Sequence, residues 1–191
     1  VRQVLGWIGV ADQIREGARE VVEALGRIGV RRIVMLTGDN EIVAREVARR
    51  VGIDEVHAQL LPEEKLRIIE ALAAEGTVAM IGDGVNDAPA LAKAHVGIAM
   101  GAAGSDVAME TADVVLMSTR LEHLVNAFAL AKKTRVVVTQ NLIFALGVIV
   151  VLVATALFAR LPLPLGVVGH EGSTVLVCLN GLRLLAFKQA Q

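Results

Sequence analysis

The chain has 191 residues and a formal net charge of −1, with 54% hydrophobic residues and a single cysteine. That balance, with no clustered basic face carrying interleaved aromatics, excludes an argument for a nucleic-acid partner. The lone Cys178 excludes an internal disulfide and a CxxC metal site. A mean hydropathy of +0.60 is too apolar for an average soluble domain. The excess is uneven, because most of the charge lies before Arg135.

Residues 1 to about 118 read as alternating β and α segments. Strands are expected at Trp7–Val10, Arg32–Leu36, Glu55–His57, Val78–Ile81, Val96–Ala99 and Asp113–Leu116. Helices are expected at Ile14–Ile28, Glu41–Val51, Glu63–Ala74 and Ala88–Lys93, with a shorter one at Asp106–Thr111. Such alternation predicts an α/β fold with a mostly parallel sheet covered on both faces. Gly29, Gly52 and Gly76 stand where helix C-caps belong.

Three strand-to-helix loops carry chemistry. The first follows Arg32–Leu36 and reads Thr37-Gly38-Asp39-Asn40. A hydroxyl and backbone N–H groups at a helix start make a phosphate-binding corner, although an N-cap explains Asp39 or Asn40 equally well. The second opens a helix with Pro62 and brings Lys65 close behind; an isolated lysine there is also an ordinary surface charge. The third, Gly82-Asp83-Gly84-Val85-Asn86-Asp87, follows a buried strand. It places two carboxylates and an amide where open α/β sheets bind ligands. Two aspartates four apart suit a hard cation such as Mg²⁺ held together with phosphate, while local turn chemistry alone also favours these residue types. The glycine-rich run Met100–Ser105 lacks the lysine and hydroxyl spacing of a P-loop.

Taken together and in order, TGDN, the PEEK lysine and IGDGVNDAPALAKAHVGIAMG resemble the haloacid-dehalogenase-like (Rossmann-type) phosphoryl-transfer domain of P-type cation-transporting ATPases. The resemblance implies that Thr37, with Gly38 and Asp39, binds the phosphoryl group and that Lys65 neutralises it. It implies that Asp83 holds Mg²⁺ and that Asn86 and Asp87 complete the shell or its hydrogen bonds, with ATP as phosphoryl donor. Asp12 and Arg15 resemble a further stretch near the nucleotide site, and a strand-to-helix cap explains Asp12 almost as well. The family's nucleophile is the aspartate of DKTGT. The aspartates here are at 12, 39, 54, 83, 87, 106 and 113, and none is followed by Lys-Thr-Gly. With a beginning at Val1, the expectation is a carboxyl-terminal piece of a longer pump, catalytically inactive without the missing amino-terminal part.

From Leu121 the pattern changes. A connecting helix is expected over 121–135, carrying Lys132, Lys133 and Arg135 ahead of an uncharged stretch, Val136 to Ala159. Those 24 residues reach roughly 36 Å, enough to span a bilayer with some tilt. Arg160-Leu-Pro-Leu-Pro164 breaks the helix, and a second span is expected over 165–187, with Arg183 and Lys188 at its end. Basic residues at both outer ends predict that both face the cytoplasm, and the resemblance implies a multi-pass protein of a prokaryotic plasma or inner membrane. Within the return span lies His170-Glu171-Gly172-Ser173-Thr174. Ionisable residues inside a span are costly and tend to mark an ion path, and imidazole nitrogen with carboxylate oxygen suits a divalent metal such as Zn²⁺ or Co²⁺. Snorkelling from the outer interface is the competing account.

HEGSTVLVCLNGLRLL resembles the last transmembrane helix of heavy-metal (P1B-type) ATPases, and HEGST its cobalt/zinc-type subclass. The copper-type Tyr-Asn pair is absent, since Asn141 is followed by Leu-Ile-Phe. The zinc/cadmium/lead-type membrane lysine near Ile149 and last-span aspartate are also absent. The expected whole is 1–120 as the distal phosphorylation domain plus two membrane helices of a divalent-metal exporter. The alternatives are a membrane-anchored phosphatase of the same superfamily, without a metal pair, and a non-catalytic accessory protein. An upstream open frame encoding DKTGT and further spans separates them.

Overall fold

A computed structural model describes residues 14–83, 87–101, 106–158 and 162–187. The chain divides into two units, Val1–Val125 and Asn126–Gln191. In the first, local chemistry sets the element boundaries. The second helix, α2 (Glu41–Val51), starts where the Asn40 side chain accepts from the Ile42 N–H, 2.8 Å away. It ends at Gly52, whose φ of 82° is left-handed and suits glycine. The N–H groups of Gly52 and Ile53 both return to the Ala48 carbonyl, at 2.8 and 2.9 Å. Ala44, Ala48 and Val51 form its buried face, while Arg45–Glu41 and Arg50–Glu46 pair one turn apart on the solvent side. In α3 (Pro62–Glu75) proline occupies the first turn, and the Glu64 carboxylate reaches back to the Leu61 N–H at 2.8 Å.

The strands are β1 (Val34–Leu36), β2 (Glu55–His57), β3 (Ala79–Gly82), β4 (Val96–Met100) and β5 (Val114–Leu116). The remaining helices of this unit are α1 (Ala18–Arg27), α4 (Ala88–Lys93) and α5 (Asp106–Thr111). The expected strand at Trp7–Val10 lies outside the described residues. Every ladder among the described residues is parallel: β1 with β2, and β3 with β4 with β5. The expected sheet therefore forms two hydrogen-bonded pieces there, one of two strands and one of three. Packing joins them, since Leu36 of β1 lies against the cluster of Ile69, Met80, Ala90 and Leu91 beneath β3. Leu91 is fully buried.

Two positions constrain this core. A Cβ placed on Gly97 would stand 2.6 Å from the Leu91 carbonyl oxygen, a backbone atom that cannot swing away. The Gly97 N–H donates to Asp113 at 2.8 Å, fixing β4 in that close approach. Arg32 closes the edge of the other ladder. Its Nε and one terminal nitrogen donate to the two oxygens of Glu55 at 2.7 and 2.8 Å, and its other terminal nitrogen donates to Glu75 at 2.8 Å. That fork, helped by His57, holds the Glu55 carboxyl down at about 2.

The second unit contains most of a long helix. Helix α6 (Glu122–Phe158) has 37 residues and runs uninterrupted for about 55 Å. The expected connecting helix and first span are thus one element, because nothing near Arg135 breaks or caps it. Helix α7 (Leu163–Leu182) begins after Pro162 and passes into a 3-10 turn, Arg183–Ala186. Among the described residues α6 alone is long and apolar enough to cross a membrane. The two expected spans are therefore matched by one helix on that measure, because His170, Glu171 and Asn180 dilute the apolar character of α7.

Gly97→Ala should destabilise the chain by about 1–3 kcal/mol, because the added methyl meets backbone. Gly76→Ala, at an extended φ of 176° with nothing within 4 Å, should stay within about 0.5 kcal/mol of wild type. Calorimetric unfolding of the detergent-solubilised chain compares the two. A pH series tests Arg32. Since the Glu55 pKa is lowered from its usual 4.5 to about 2, its stabilisation is complete above 4.5 and lost as pH falls through about 2. The difference in Tm between wild type and Arg32→Gln should close over that interval.

Candidate active site and membrane polar cluster

The first loop continues the β1–β2 ladder past its last residue. The Thr37 N–H donates to the His57 carbonyl and the Thr37 carbonyl accepts from the Leu60 N–H, both at 3.0 Å. The Thr37 hydroxyl donates to Asp39 Oδ2 at 2.7 Å and accepts from the Asp39 N–H at 3.1 Å. Asp39 is held in turn by the Gln59 N–H on its carbonyl at 2.9 Å. Gly38 lies between them with the Leu60 carbonyl 3.4 Å from where a Cβ would stand. This tight turn presents a hydroxyl at the carboxyl end of β1. The helix cap behind it is Asn40, so the sequence's two readings of this loop fall on different residues.

The second and third loops converge. Lys65, in the first turn of α3, donates from Nζ to Asp87 Oδ1 at 2.7 Å. Only 15% and 17% of the two side chains is exposed. Asp87 stands at the head of α4, where its carbonyl accepts from the Leu91 N–H at 2.8 Å. Gly82 makes this arrangement possible, because a Cβ there would lie 3.0 Å from Asp87 Oδ2 and 3.2 Å from Asp87 Cβ. Asp83 follows directly at the end of β3 and is exposed. Residues 22 apart in sequence thus meet at a strand end through an ion pair. Asn86 and Asp12 lie outside the described residues. Arg15 donates to the Thr119 carbonyl at 3.4 Å, not to any of these groups.

The donor set fits a magnesium ion. Mg²⁺ takes hard oxygen ligands and is bound through one or two carboxylates plus substrate phosphate, not an all-protein cage. Asp83 and Asp87 supply two carboxylates at one strand end, and no cluster of three or more His, Cys, Asp or Glu occurs among the described residues.

His170 and Glu171 are neighbours on α7, both exposed. The Ser173 and Thr174 hydroxyls donate back to the His170 carbonyl at 2.6 and 3.2 Å, so their polarity is absorbed within the helix. The side of α7 that meets α6 is a different one: Gly169, against Leu152, and Asn180, against Asn141. The imidazole and carboxylate are therefore left off the α6 contact. Sequence reading passed over Asn141 and Asn180 as functional positions; the signal was an amide within an otherwise apolar run.

Comparisons with known proteins bear on the family of the chain. A family profile for haloacid dehalogenase-like hydrolases matches residues 1–95. The chain is 51% identical over 184 residues to a zinc-transporting ATPase of Bacillus subtilis, covering 96% of this chain and 29% of that protein. It is 49% identical to a probable cobalt/nickel-exporting P-type ATPase of Mycolicibacterium smegmatis, covering 95% of this chain and 28% of the relative. A probable cadmium-transporting ATPase of Staphylococcus aureus is 44% identical, with 97% and 26% covered. The crystal structure of a zinc-transporting PIB-type ATPase in an E2.Pi state superposes with a TM-score of 0.85 at 42% identity, covering 91% of this chain and 28% of that one. The chain thus spans less than a third of the length of these relatives. With identities of 42% to 51% along nearly all of its own length, it belongs to the heavy-metal-transporting P-type ATPases.

Proposed function

We propose that this chain provides the distal phosphorylation domain (1–120) and the last two membrane helices of an ATP-driven exporter of divalent heavy metals. The observation that carries the reading is the Lys65–Asp87 pair, 2.7 Å long and mostly buried, beside Asp83 at the end of β3. A cation and two carboxylates at one strand end match phosphoryl transfer, in which the protein positions and neutralises charge. When bound, Mg²⁺ held by Asp83 and Asp87 supplies charge neutralisation on the transferring phosphoryl oxygens. Lys65 then turns its ammonium from Asp87 towards the phosphoryl group. The Thr37 hydroxyl, positioned by Asp39, receives another phosphoryl oxygen, and Asn86 completes the hydrogen bonding. The attacking carboxylate belongs to a part of the pump that precedes these residues.

The membrane half takes residues 121–135 as a cytosolic extension of α6, 136–159 as one span and 165–187 as the next. His170 lies seven residues past the start of α7, about 10 Å along the helix. Within a hydrocarbon layer about 30 Å thick, that depth favours a ligand role over snorkelling. Because His170 and Glu171 stand off the α6 contact, they face other helices of the same pump, where cargo passes. The nitrogen and oxygen donors favour Zn²⁺ or Co²⁺ over Cu⁺, which prefers sulfur. Relatives named for zinc, cobalt/nickel and cadmium support a divalent cargo. The host membrane is a prokaryotic plasma or inner membrane, with both ends of the hairpin cytoplasmic.

Two experiments on the complete pump test this reading. Asp83→Asn should abolish phosphoenzyme formation from ATP, and Lys65→Ala should slow it by about 10²–10³-fold. Normal labelling in Asp83→Asn contradicts the magnesium role. His170→Ala and Glu171→Ala should each remove metal-stimulated ATPase activity while phosphorylation from inorganic phosphate survives, since the two sites communicate through the conformational cycle. Unchanged metal activation in both variants restores the snorkelling account.

A further inference from the structure

We infer that Asn141 and Asn180 are positioning residues: their amide pair sets the register of α7 on α6 and so the depth at which His170 and Glu171 are carried. The inference rests on the metal-site reading above.

The hydrogen bonds have one consistent direction. A guanidinium only donates, so Arg183, 2.8 Å from Asn180 Oδ1, fixes which way that amide faces. The Asn180 Nδ2 group then donates across the interface to Asn141 Oδ1 at 2.8 Å. With its oxygen occupied, Asn141 turns Nδ2 to the Val177 carbonyl of α7 at 3.3 Å. Each side-chain amide thereby gives and receives a bond. In an apolar layer no water replaces these partners, so one register is favoured over its neighbours. A second contact agrees with it. Leu152, eleven residues further along α6, packs where a Cβ on Gly169 would stand, 3.1 Å away. His170 follows Gly169 directly. Sliding α7 by one residue shifts His170 by about 1.5 Å and turns it by about 100°, enough to misplace a metal ligand.

The test uses the complete pump with Cys178→Ser. Asn180→Leu and Asn141→Leu should each raise the metal concentration for half-maximal ATPase stimulation at least about tenfold. Maximal rate should stay within about twofold, and phosphorylation from inorganic phosphate should be unchanged. The double variant should be no worse than either single one. Register is read independently by disulfide formation in Leu152→Cys/Gly169→Cys, expected with both asparagines present and lost with Asn180→Leu. Cross-linking that persists in Asn180→Leu, or fails with both asparagines present, overturns the inference. So does a loss of maximal rate with an unchanged half-maximal concentration. If His170→Ala leaves metal activation intact, the metal-site reading fails, and the cross-link still decides whether the asparagines fix the register.

Discussion

The first unit of this chain is organised around one ion pair, Lys65 with Asp87. Placing a cation and a carboxylate where water is scarce costs desolvation, and the attraction between them offsets that only with close geometry. The core supplies the geometry. Ile69 on α3, Met80 on β3 and Leu91 on α4 are buried together, so the elements carrying Lys65 and Asp87 cannot drift apart. Gly82 leaves space for the Asp87 carboxylate. An arrangement that holds charge ready at a strand end is suited to receiving more charge, because an incoming phosphoryl group and its magnesium ion give both partners new counter-ions. The pair is thus a structural clasp and, on the proposed reading, a preorganised half of a transfer site.

Much of this was legible in the sequence for a physical reason. Short apolar runs ending in Gly, Asp and Asn, each followed by a helical pattern, specify strand ends, and strand ends in parallel folds are where ligands gather. Helices α2, α4 and α5 have the expected bounds, those of α2 being written in its Asn40 cap and Gly52. Which loops meet was not legible from local pattern. Without the resemblance Lys65 reads as a surface charge, and its pairing with Asp87 appears only once α3 packs against α4. Arg32 was likewise hidden, since its two acceptors, Glu55 and Glu75, lie on separate elements. The absence of a break between the connecting helix and the first span escaped notice because the change in composition at Val136 carries no stop signal.

The proposed membrane half works by the opposite economy. In the first unit charges are placed by burial of neighbouring apolar groups; along α6 and α7 the apolar surface is everywhere and polar groups become the specific contacts. Asn141, Asn180 and Arg183 are linked by hydrogen bonds across the α6–α7 contact, the basis of the inferred register, while His170 and Glu171 are kept off that contact. On the proposed reading, one set of polar residues is consumed by structure and the other is left for cargo.

The account stands or falls on movement of metal. The most direct measurement is ATP-dependent uptake of radioactive zinc, cobalt or copper into inverted membrane vesicles containing the complete pump. The account predicts accumulation of zinc or cobalt that stops when ATP is withheld, with no accumulation of copper(I). ATP hydrolysis without accumulation of zinc or cobalt, or accumulation of copper(I) alone, would contradict it.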